Sequence, residues 1–185
     1  FSSNANAVVD ADRLGKLVDA ADGVAALVAD GFAELGLGCS RGRTCAQQFL
    51  QSYGRLTYRR ALAADEAEAM LTLLFEPEPD FAEGIRQLVR ALLLSGDALY
   101  QYEVGADTRG ALTRLSGYDL ASKLSLLLWN TVPDDALLLA AERGELETAT
   151  GFDAQVERLL GSQRVTESVG AFYRGWLFLE ACDGK

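Results

Sequence analysis

Few side chains in this chain could do chemistry, because it contains no histidine. That absence excludes Ser-His-Asp and Cys-His nucleophilic centres, histidine-bound zinc and an axial histidine for haem within these residues. No Cys-x-x-Cys pair occurs either, so the chain cannot attach a c-type haem covalently. Acid–base and nucleophilic chemistry is left to Asp, Glu, Tyr, Lys and three cysteines.

Such side chains form two clusters in the sequence. Asp134 and Asp135 are adjacent carboxylates, but neighbouring helical residues diverge by about 100°, so they do not make a catalytic pair. Negative charge in a first helical turn is instead stabilising. Tyr100, Tyr102 and Glu103 bring phenols and a carboxylate together, which indicates either a ligand or partner contact or buried tyrosines with hydrogen-bonded hydroxyls. We predict no catalytic residue and no metal site in the chain.

Five further side chains are candidates for contacts. Arg59 and Arg60 fall at the end of a predicted helix, where cations can bind the last carbonyls; a site for an anion or a partner carboxylate is the alternative. Asp119 and Trp129 share one predicted helical face, so the indole could stack on a ligand, or it could be a core residue. Trp176, in the last predicted helix, is a candidate for a partner contact.

The elements that must hold these side chains are helices. Leu and Ala are abundant and only 3 prolines occur, so intrinsic preference favours helix over strand. Apolar residues recur at spacings of three and four from Leu14 to Leu35, as expected for one buried face of a helix. We predict an all-α fold, an irregular bundle of about eight helices, with two packed helical halves as an alternative organisation.

Capping residues predict where the helices begin and end. Asp12 is expected to cap the first helix, and Gly36 and Gly38 to end it. The second helix is expected over residues 44–62, and the third from Asp65. Further helices are predicted to start at Asp80, at Ser116 with Asp119, and at Thr131 with Asp134. The last two helices are predicted over residues 152–160 and 164–181.

Charge and hydropathy exclude two classes of partner. The formal net charge of −10 argues against a nucleic-acid surface, because phosphate neutralisation needs clustered Lys and Arg. No apolar run approaches the roughly 20 residues that span a bilayer, so we predict no transmembrane segment. The expected partners are other modules or subunits of a larger assembly.

The cysteines bear on the cellular compartment. Cys39 and Cys45 flank a short polar loop that can bring their Cα atoms within bridging distance, which predicts a disulfide; two reduced thiols are the alternative. A disulfide indicates an oxidising compartment, either periplasmic or extracellular. Cys182 is left over, and its state is open.

Three groups of residues resemble known modules. The segment from Phe1 to Ala5, with Ala20-Ala21, is similar to the end of one module, and Cys45-Ala46-x-x-Phe49-Leu50 with Tyr58-Arg59-Arg60 is similar to a second. The series from Asp80-Phe81 through Leu99-Tyr100 to Leu128-Trp129-Asn130-Thr131-x-Pro133-Asp134-Asp135 resembles a third. These modules occur in this order in large exported proteins of planctomycetes and myxobacteria. They are domains of unknown function (DUF fifteen-eighty-seven, fifteen-ninety-five and fifteen-ninety-two type), and c-type cytochrome segments often accompany them.

The resemblance implies a division of the chain and a setting for it. Residues 1–38 would end a preceding helical module, residues 39–104 would form a disulfide-started module, and residues 105–185 would form a second helical module that continues further. The polar stretch from Gly105 to Arg114 is the expected boundary between the latter two. The resemblance implies a secreted or periplasmic parent protein with no cofactor in this segment, and haem elsewhere in the parent. It implies no established activity, so no catalytic residue is transferred.

The chain departs from the family pattern at four positions. Ala61 stands where Pro is usual and Ala63 where a capping Thr is common, which should weaken the start of the third helix. Gly96 stands where Pro is usual, and Lys123 stands where Arg is usual. A lysine at position 123 cannot make the two-bond contact that an arginine could make there.

Two functions remain in view. The first is a non-catalytic helical scaffold or interaction region of a secreted or periplasmic multi-domain protein, which fits the lack of any reactive constellation. The second is part of an exported redox or carbohydrate-modifying enzyme, linked to a cytochrome, whose cofactor ligands lie outside this segment.

Overall fold

The computed structural model describes residues 10–39, 41–101, 107–109 and 112–178, and within these it contains ten α-helices and one short hairpin. For residues 107–109, 112 and 113 only the backbone is described. Helix dominates, so the predicted all-α fold is confirmed. No helix among the described residues is long and apolar enough to cross a membrane. The described residues before and after the gap at 102–106 belong to two different compact units.

The first unit contains six helices. They are α1 (Ala11–Asp30), α2 (Arg43–Phe49), α3 (Arg55–Tyr58), α4 (Ala64–Met70), α5 (Phe81–Leu93) and α6 (Gly96–Leu99). A 3-10 turn at Phe32–Leu35 follows α1, and π-helical turns at Leu50–Gly54 and Leu71–Phe75 follow α2 and α4. The second half of α1 packs against α5, which has the strongest segregation of apolar and polar residues in this unit.

The core of the first unit is made of side chains from α1, α2, α5 and the turns between them. Its buried residues are Ala25, Phe32, Cys45, Ala46, Phe49, Leu50, Leu71, Ile85, Leu88, Val89 and Leu92. Phe32 contacts the ring of Phe49 and meets Phe81 edge-on, with centroids 4.9 Å apart. Because Gly84 has no Cβ, the Phe75 ring can lie directly over α5 at that position.

The second unit begins with two short strands, β1 (Asp107–Arg109) and β2 (Leu112–Arg114), paired antiparallel with Thr108 opposite Thr113. Four helices follow. They are α7 (Gly117–Trp129), α8 (Asp135–Glu142), α9 (Ala149–Leu160) and α10 (Gln163–Trp176), with a 3-10 turn at Glu145–Glu147. The core residues are Ala121, Leu124, Trp129, Leu137, Ala140, Ala141, Leu146 and Leu159.

Two predicted helix starts are wrong. Asp10, not Asp12, caps α1 by accepting a hydrogen bond from the Arg13 N–H at 2.8 Å. Asp12 lies inside the helix and pairs with Lys16. Asp134, not Thr131, caps α8, because a cap at Thr131 would require a helical residue directly before Pro133, a conformation that the proline ring disfavours.

Other boundaries differ from the prediction by a few residues or by the type of structure. The second predicted helix ends at Tyr58 and contains a π-helical turn, and α4 begins at Ala64. The last helix ends at Trp176, before Leu177 caps it. The polar stretch expected as a connection contains the hairpin of β1 and β2. The starts at Asp80 and Ser116 are where they were predicted.

The predicted three-part division at residues 38 and 104 stays a prediction. Within the first unit, α1 packs against α5, so the residues expected to end one module contact those expected in the next.

Candidate functional site

The predicted disulfide between Cys39 and Cys45 is present, with Cα atoms 5.7 Å apart. Cys45 is buried in the core of the first unit, whereas Cys39 is only partly buried. The loop that the disulfide closes leads into α2, whose first residue, Arg43, contacts two carboxylates. Its Nη2 lies 2.5 Å from Glu68, and its Nε lies 2.6 Å from Glu76. Arg43, which lies between the two bridged cysteines in sequence, thus links α2 to α4 and to Glu76, which follows the π-helical turn after α4.

Arg59 lies at the end of α3 in a left-handed conformation, with φ of 56°. Its Nη2 donates to the carbonyls of Asp97 at 2.5 Å and Tyr100 at 2.8 Å. These carbonyls lie at the C-terminal end of α6, which has too few residues to satisfy them internally. Burial lowers the pKa of Arg59, but an arginine remains charged at neutral pH. Arg59 thus caps a neighbouring helix.

Arg60 makes a two-bond contact with Glu66, at 2.8 Å for each nitrogen–oxygen pair. It also lies 3.4 Å from Asp97. The hydrogen bonds from Arg60 lower the pKa of Glu66, despite its partial burial, and Glu66 in turn accepts a hydrogen bond from the Ala63 N–H. Ala63 has no side-chain oxygen, so only this half of a capping box is present. Arg60 and Glu66 together stabilise the start of α4.

The structure describes one of the two candidate tyrosines. Tyr100 directly follows α6 and is half exposed, and its carbonyl is the acceptor for Arg59. Tyr102 lies outside the described residues. The contact site predicted for this pair therefore stays a prediction.

Asp119 occupies the third position of α7 and forms a reciprocal capping box with Ser116. Its carboxylate accepts hydrogen bonds from the Ser116 N–H at 2.9 Å and the Ser116 hydroxyl at 2.7 Å. The Ser116 Oγ accepts from the Asp119 N–H at 3.1 Å. Asp119 Oδ2 and Ser116 Oγ both take part in fixing the start of α7, as the sequence pattern predicted.

Trp129 is a core residue at the end of α7, with 7% of its surface exposed. Its Nε1–H donates to the Leu159 carbonyl at 3.1 Å. Two guanidinium groups lie over the indole, that of Arg164 at 4.8 Å from the ring centroid and that of Arg158 at 5.7 Å. Arg158 also forms a two-bond contact with Asp134. The indole thus connects α7 to α9 and α10, and its burial leaves little ring surface for a ligand.

Trp176 lies on an exposed apolar surface that we call the aromatic face. It consists of Phe172, Tyr173 and Trp176 of α10 with Leu177 and Phe178, which follow the helix. The exposed fraction is 49% for Tyr173, 59% for Trp176 and 78% for Phe178. No residue of α10 is fully buried, although its sequence is strongly amphipathic. The sequence singled out Trp176 alone; the spacing of Tyr173 and Phe172 relative to it could have revealed the rest of the face.

Several acidic side chains of the described residues serve in helix caps and ion pairs. Within residues 10–39, 41–101 and 112–178 together with the β1 backbone, no group of three or more His, Cys, Asp or Glu side chains could hold a metal ion. The clustered charges in Arg60–Glu66 and Arg158–Asp134 are ion pairs that join helices.

Comparison with known proteins relates the second unit to one family. A family model described as "PSD4: Protein of unknown function (DUF1592)" matches residues 115–184. The match begins just before Ser116 and includes Trp129 and the whole of α10. It supports the prediction that this segment is a domain of unknown function in a multi-domain protein. Neither a curated protein nor a solved structure matches the chain.

Proposed function

We propose that this chain is a non-catalytic helical scaffold and interaction region of an exported multi-domain protein. The observation that carries the proposal is the aromatic face of α10. Tyr and Trp are the side chains most often found at energetically important positions of protein interfaces, because they bury a large area and lose little conformational entropy. Exposing several of them together is unfavourable in water, so a contiguous aromatic surface favours a contact with another protein surface.

The use of the charged side chains supports a structural role. Arg59 caps α6, Asp119 completes the capping box of α7 with Ser116, and Asp134 caps α8. Arg60 and Arg158 form two-bond contacts with carboxylates on other helices or helix starts. Catalytic acids and bases instead need unoccupied proton-transfer positions facing a substrate. These five residues are therefore better suited to holding helices in place than to catalysis.

Export is supported by the Cys39–Cys45 disulfide, because disulfides persist mainly in oxidising compartments. A periplasmic or extracellular location follows as part of the proposal. The partners are proposed to be other modules of the parent protein, in keeping with the family match over residues 115–184. Cytochrome-bearing segments are among the modules that the family resemblance suggests.

Association with the remainder of the parent protein tests this function. The 185-residue chain and the remaining modules are purified separately and mixed, and their association is measured by sedimentation velocity. We expect the wild-type chain to associate, and Trp176→Ser to weaken the association by about 30-fold, the usual effect of losing an interface hot spot. Leu27→Ser is the control, because Leu27 is 75% exposed on α1 and lies away from α10 in sequence. Absence of association, or equal weakening by both variants, contradicts the proposal.

An absorption spectrum separates the scaffold from the enzymatic alternative. The natively purified parent protein would show a Soret band if it carries haem, and elemental analysis would detect a bound metal. Turnover that is lost when residues of this chain are changed at Arg60, Asp119 or Asp134, with the fold intact by circular dichroism, would favour an enzyme over a scaffold.

A further inference from the structure

We infer that residues 95–101, which contain α6, form a latch that Arg59 and Arg60 hold closed, and that release of this latch lengthens the connection between the two units. This role goes beyond the proposed function and does not depend on the aromatic face of α10. Three observations lead to it: how little of α6 is buried, which side chains hold it, and where it lies in the chain.

Apolar burial contributes little to holding α6 in place. The helix has four residues, and isolated helices shorter than about 12–15 residues are marginally stable at best. No residue of α6 is buried, and Leu99 and Tyr100, at its end, are 40% and 50% exposed. The helix begins at Gly96, and glycine loses more conformational freedom than other residues when it becomes ordered. We therefore attribute the position of α6 to hydrogen bonds from other elements.

Arg59 donates two of these hydrogen bonds. Its Nη2 lies 2.5 Å from the carbonyl oxygen of Asp97, inside α6, and 2.8 Å from that of Tyr100, directly after the helix. The two acceptors lie 38 and 41 residues further along the chain, so one side chain holds α6 against the end of α3. Hydrogen bonds from a charged guanidinium are stronger than those between neutral groups.

Arg60 and Ser95 provide further polar contacts to the latch. Arg60 Nη2 lies 3.4 Å from the Asp97 carboxylate, and a two-bond contact with Glu66 keeps the guanidinium in place. Ser95 caps α6 by accepting a hydrogen bond from the Ala98 N–H at 3.2 Å. The buried residues of the first unit's core come from other elements. The latch can therefore open without exposing that core.

The position of α6 in the chain gives its release a consequence. It lies between α5, which supplies core residues of the first unit, and β1, with which the described part of the second unit begins. Release adds the seven residues 95–101 to the stretch of chain that joins α5 to β1, and these span up to about 25 Å when fully extended. The two units can then engage partners over a wider range of separations.

The variant Arg59→Gly opens the latch selectively. Arg59 has a left-handed backbone conformation, with φ of 56°, which glycine adopts more readily than arginine. The substitution therefore removes the guanidinium without straining the end of α3. Arg90→Ala is the matched control, because it removes an arginine of the same unit whose described ion pair is with Asp22 of α1 rather than with α6.

Hydrogen exchange on the complete 185-residue chain reports the release. The N–H groups of Leu99 and Tyr100 donate to the carbonyls of Ser95 and Gly96, so their exchange follows the opening of α6. We expect exchange of these two amides to be at least about tenfold faster in Arg59→Gly than in wild type, and within about twofold of wild type in Arg90→Ala. Circular dichroism checks that each variant keeps its helical content.

Spin labels in the two units measure the length of the connection. The label positions are Gln48→Cys on α2 and Ala154→Cys on α9, both exposed, in a chain that carries Cys182→Ser. Double electron–electron resonance should give a broader distribution of distances between the labels when Arg59→Gly is added. Arg90→Ala should leave the distribution as it is in wild type.

Three outcomes overturn the inference. They are unchanged exchange of the two amides in Arg59→Gly, equal acceleration by Arg90→Ala, and a distance distribution that stays the same although exchange has become faster. If Arg59→Gly loses helical content, Ser95→Ala makes the same test, because it removes the N-cap of α6 and leaves both arginines in place. Association through Trp176 tests the proposed function separately.

Discussion

Arg158 and Asp134 meet side-on, with Nη1 2.7 Å from Oδ2 and Nη2 3.0 Å from Oδ1. The same carboxylate caps α8 by accepting a hydrogen bond from the Leu137 N–H at 2.9 Å. One side chain thus fixes the start of α8 and ties it to α9. Because Arg158 also lies over the Trp129 ring, the contact reaches the end of α7. At this point α7, α8 and α9 are joined by the ion pair, by the N-cap of α8 and by the contact of Arg158 with the Trp129 ring.

Removing the charge of Asp134 should destabilise the second unit in a pH-dependent way. Burial raises the pKa of Asp134, but hydrogen bonds from Arg158 and the Leu137 N–H, together with the Arg158 and Arg164 charges, outweigh burial and lower it. The carboxylate's contribution is then present above the unfolded-state pKa of about 3.9 and is lost as pH falls through the lower folded-state value. Asp134→Asn should cost about 1–2 kcal/mol in unfolding free energy at pH 7.

Urea unfolding at a series of pH values, followed by tryptophan fluorescence, measures this effect. The difference between wild type and Asp134→Asn should be constant from pH 7 to about pH 5 and should shrink below pH 4. Asp135→Asn is the control, because Asp135 has the same charge on the adjacent residue but no described ion pair. A difference that grows as pH falls would contradict this interpretation.

Even a conservative substitution of Trp129 should destabilise the protein. Trp129→Phe keeps an aromatic ring but removes the hydrogen bond to the Leu159 carbonyl and part of the buried surface. We expect a loss of about 1–2 kcal/mol. Trp176→Phe, at an exposed site, should change stability by less than about 0.5 kcal/mol. Chemical denaturation of the two variants, followed by circular dichroism, makes the comparison, and equal effects would argue against a core role for Trp129.

Breaking the disulfide should loosen the first unit. The loop between Cys39 and Cys45 is short, so the chain-entropy contribution of the crosslink is about 2 kcal/mol. The double variant Cys39→Ser with Cys45→Ser should lose at least that amount, since Cys45 is also a buried apolar contact. Hydrogen exchange should rise in α2 and around Arg43, while the α7 amides stay protected. Equal loss of protection in α7 would show that the crosslink supports both units.

Replacing glycines by alanine distinguishes positions where a neighbouring helix packs against the glycine from positions where there is room for a side chain. A Cβ at Gly117 would lie 2.7 Å from the Ala141 carbonyl oxygen, so Gly117→Ala should force α7 away from α8 and cost about 1–3 kcal/mol. Nothing lies within 4 Å of a Cβ added at Gly15 or Gly23. Because glycine weakens a helix interior, Gly23→Ala should stabilise the protein by about 0.5–1 kcal/mol. Thermal melts of the two variants should therefore shift in opposite directions.

The sequence predicted much of the fold because local signals decide helix type and many helix starts. Ser116 with Asp119 is an example, since both halves of the box are local hydrogen bonds. The same pattern at Thr131 was misleading, and the restriction that Pro133 places on the preceding residue could have excluded it. The π-helical turn at Leu50–Gly54 has no pattern in the sequence that distinguishes it from α-helix.

Contacts between distant residues could not be predicted from local patterns. Arg59 reads as a cap for its own helix, yet it caps α6, whose carbonyls lie 38 and 41 residues further along the chain. Trp129 and Trp176 carry the same indole, but one is buried and the other exposed. That difference depends on which helices pack around each ring, and periodicity alone does not determine it. The spacing of Phe172, Tyr173 and Trp176 groups these residues on one face, but only the structure showed that the face is exposed.

Hydrogen exchange of the α10 amides gives the most direct test of the account. Residues 169–176 are compared in the 185-residue chain and in the parent protein, with the buried α7 amides as an internal reference. If the aromatic face is a docking surface, these amides and the Trp176 side chain should be protected in the parent at least tenfold more than in the 185-residue chain. Equal exchange in both, with Trp176 equally open to quenching by acrylamide, would contradict the proposed role.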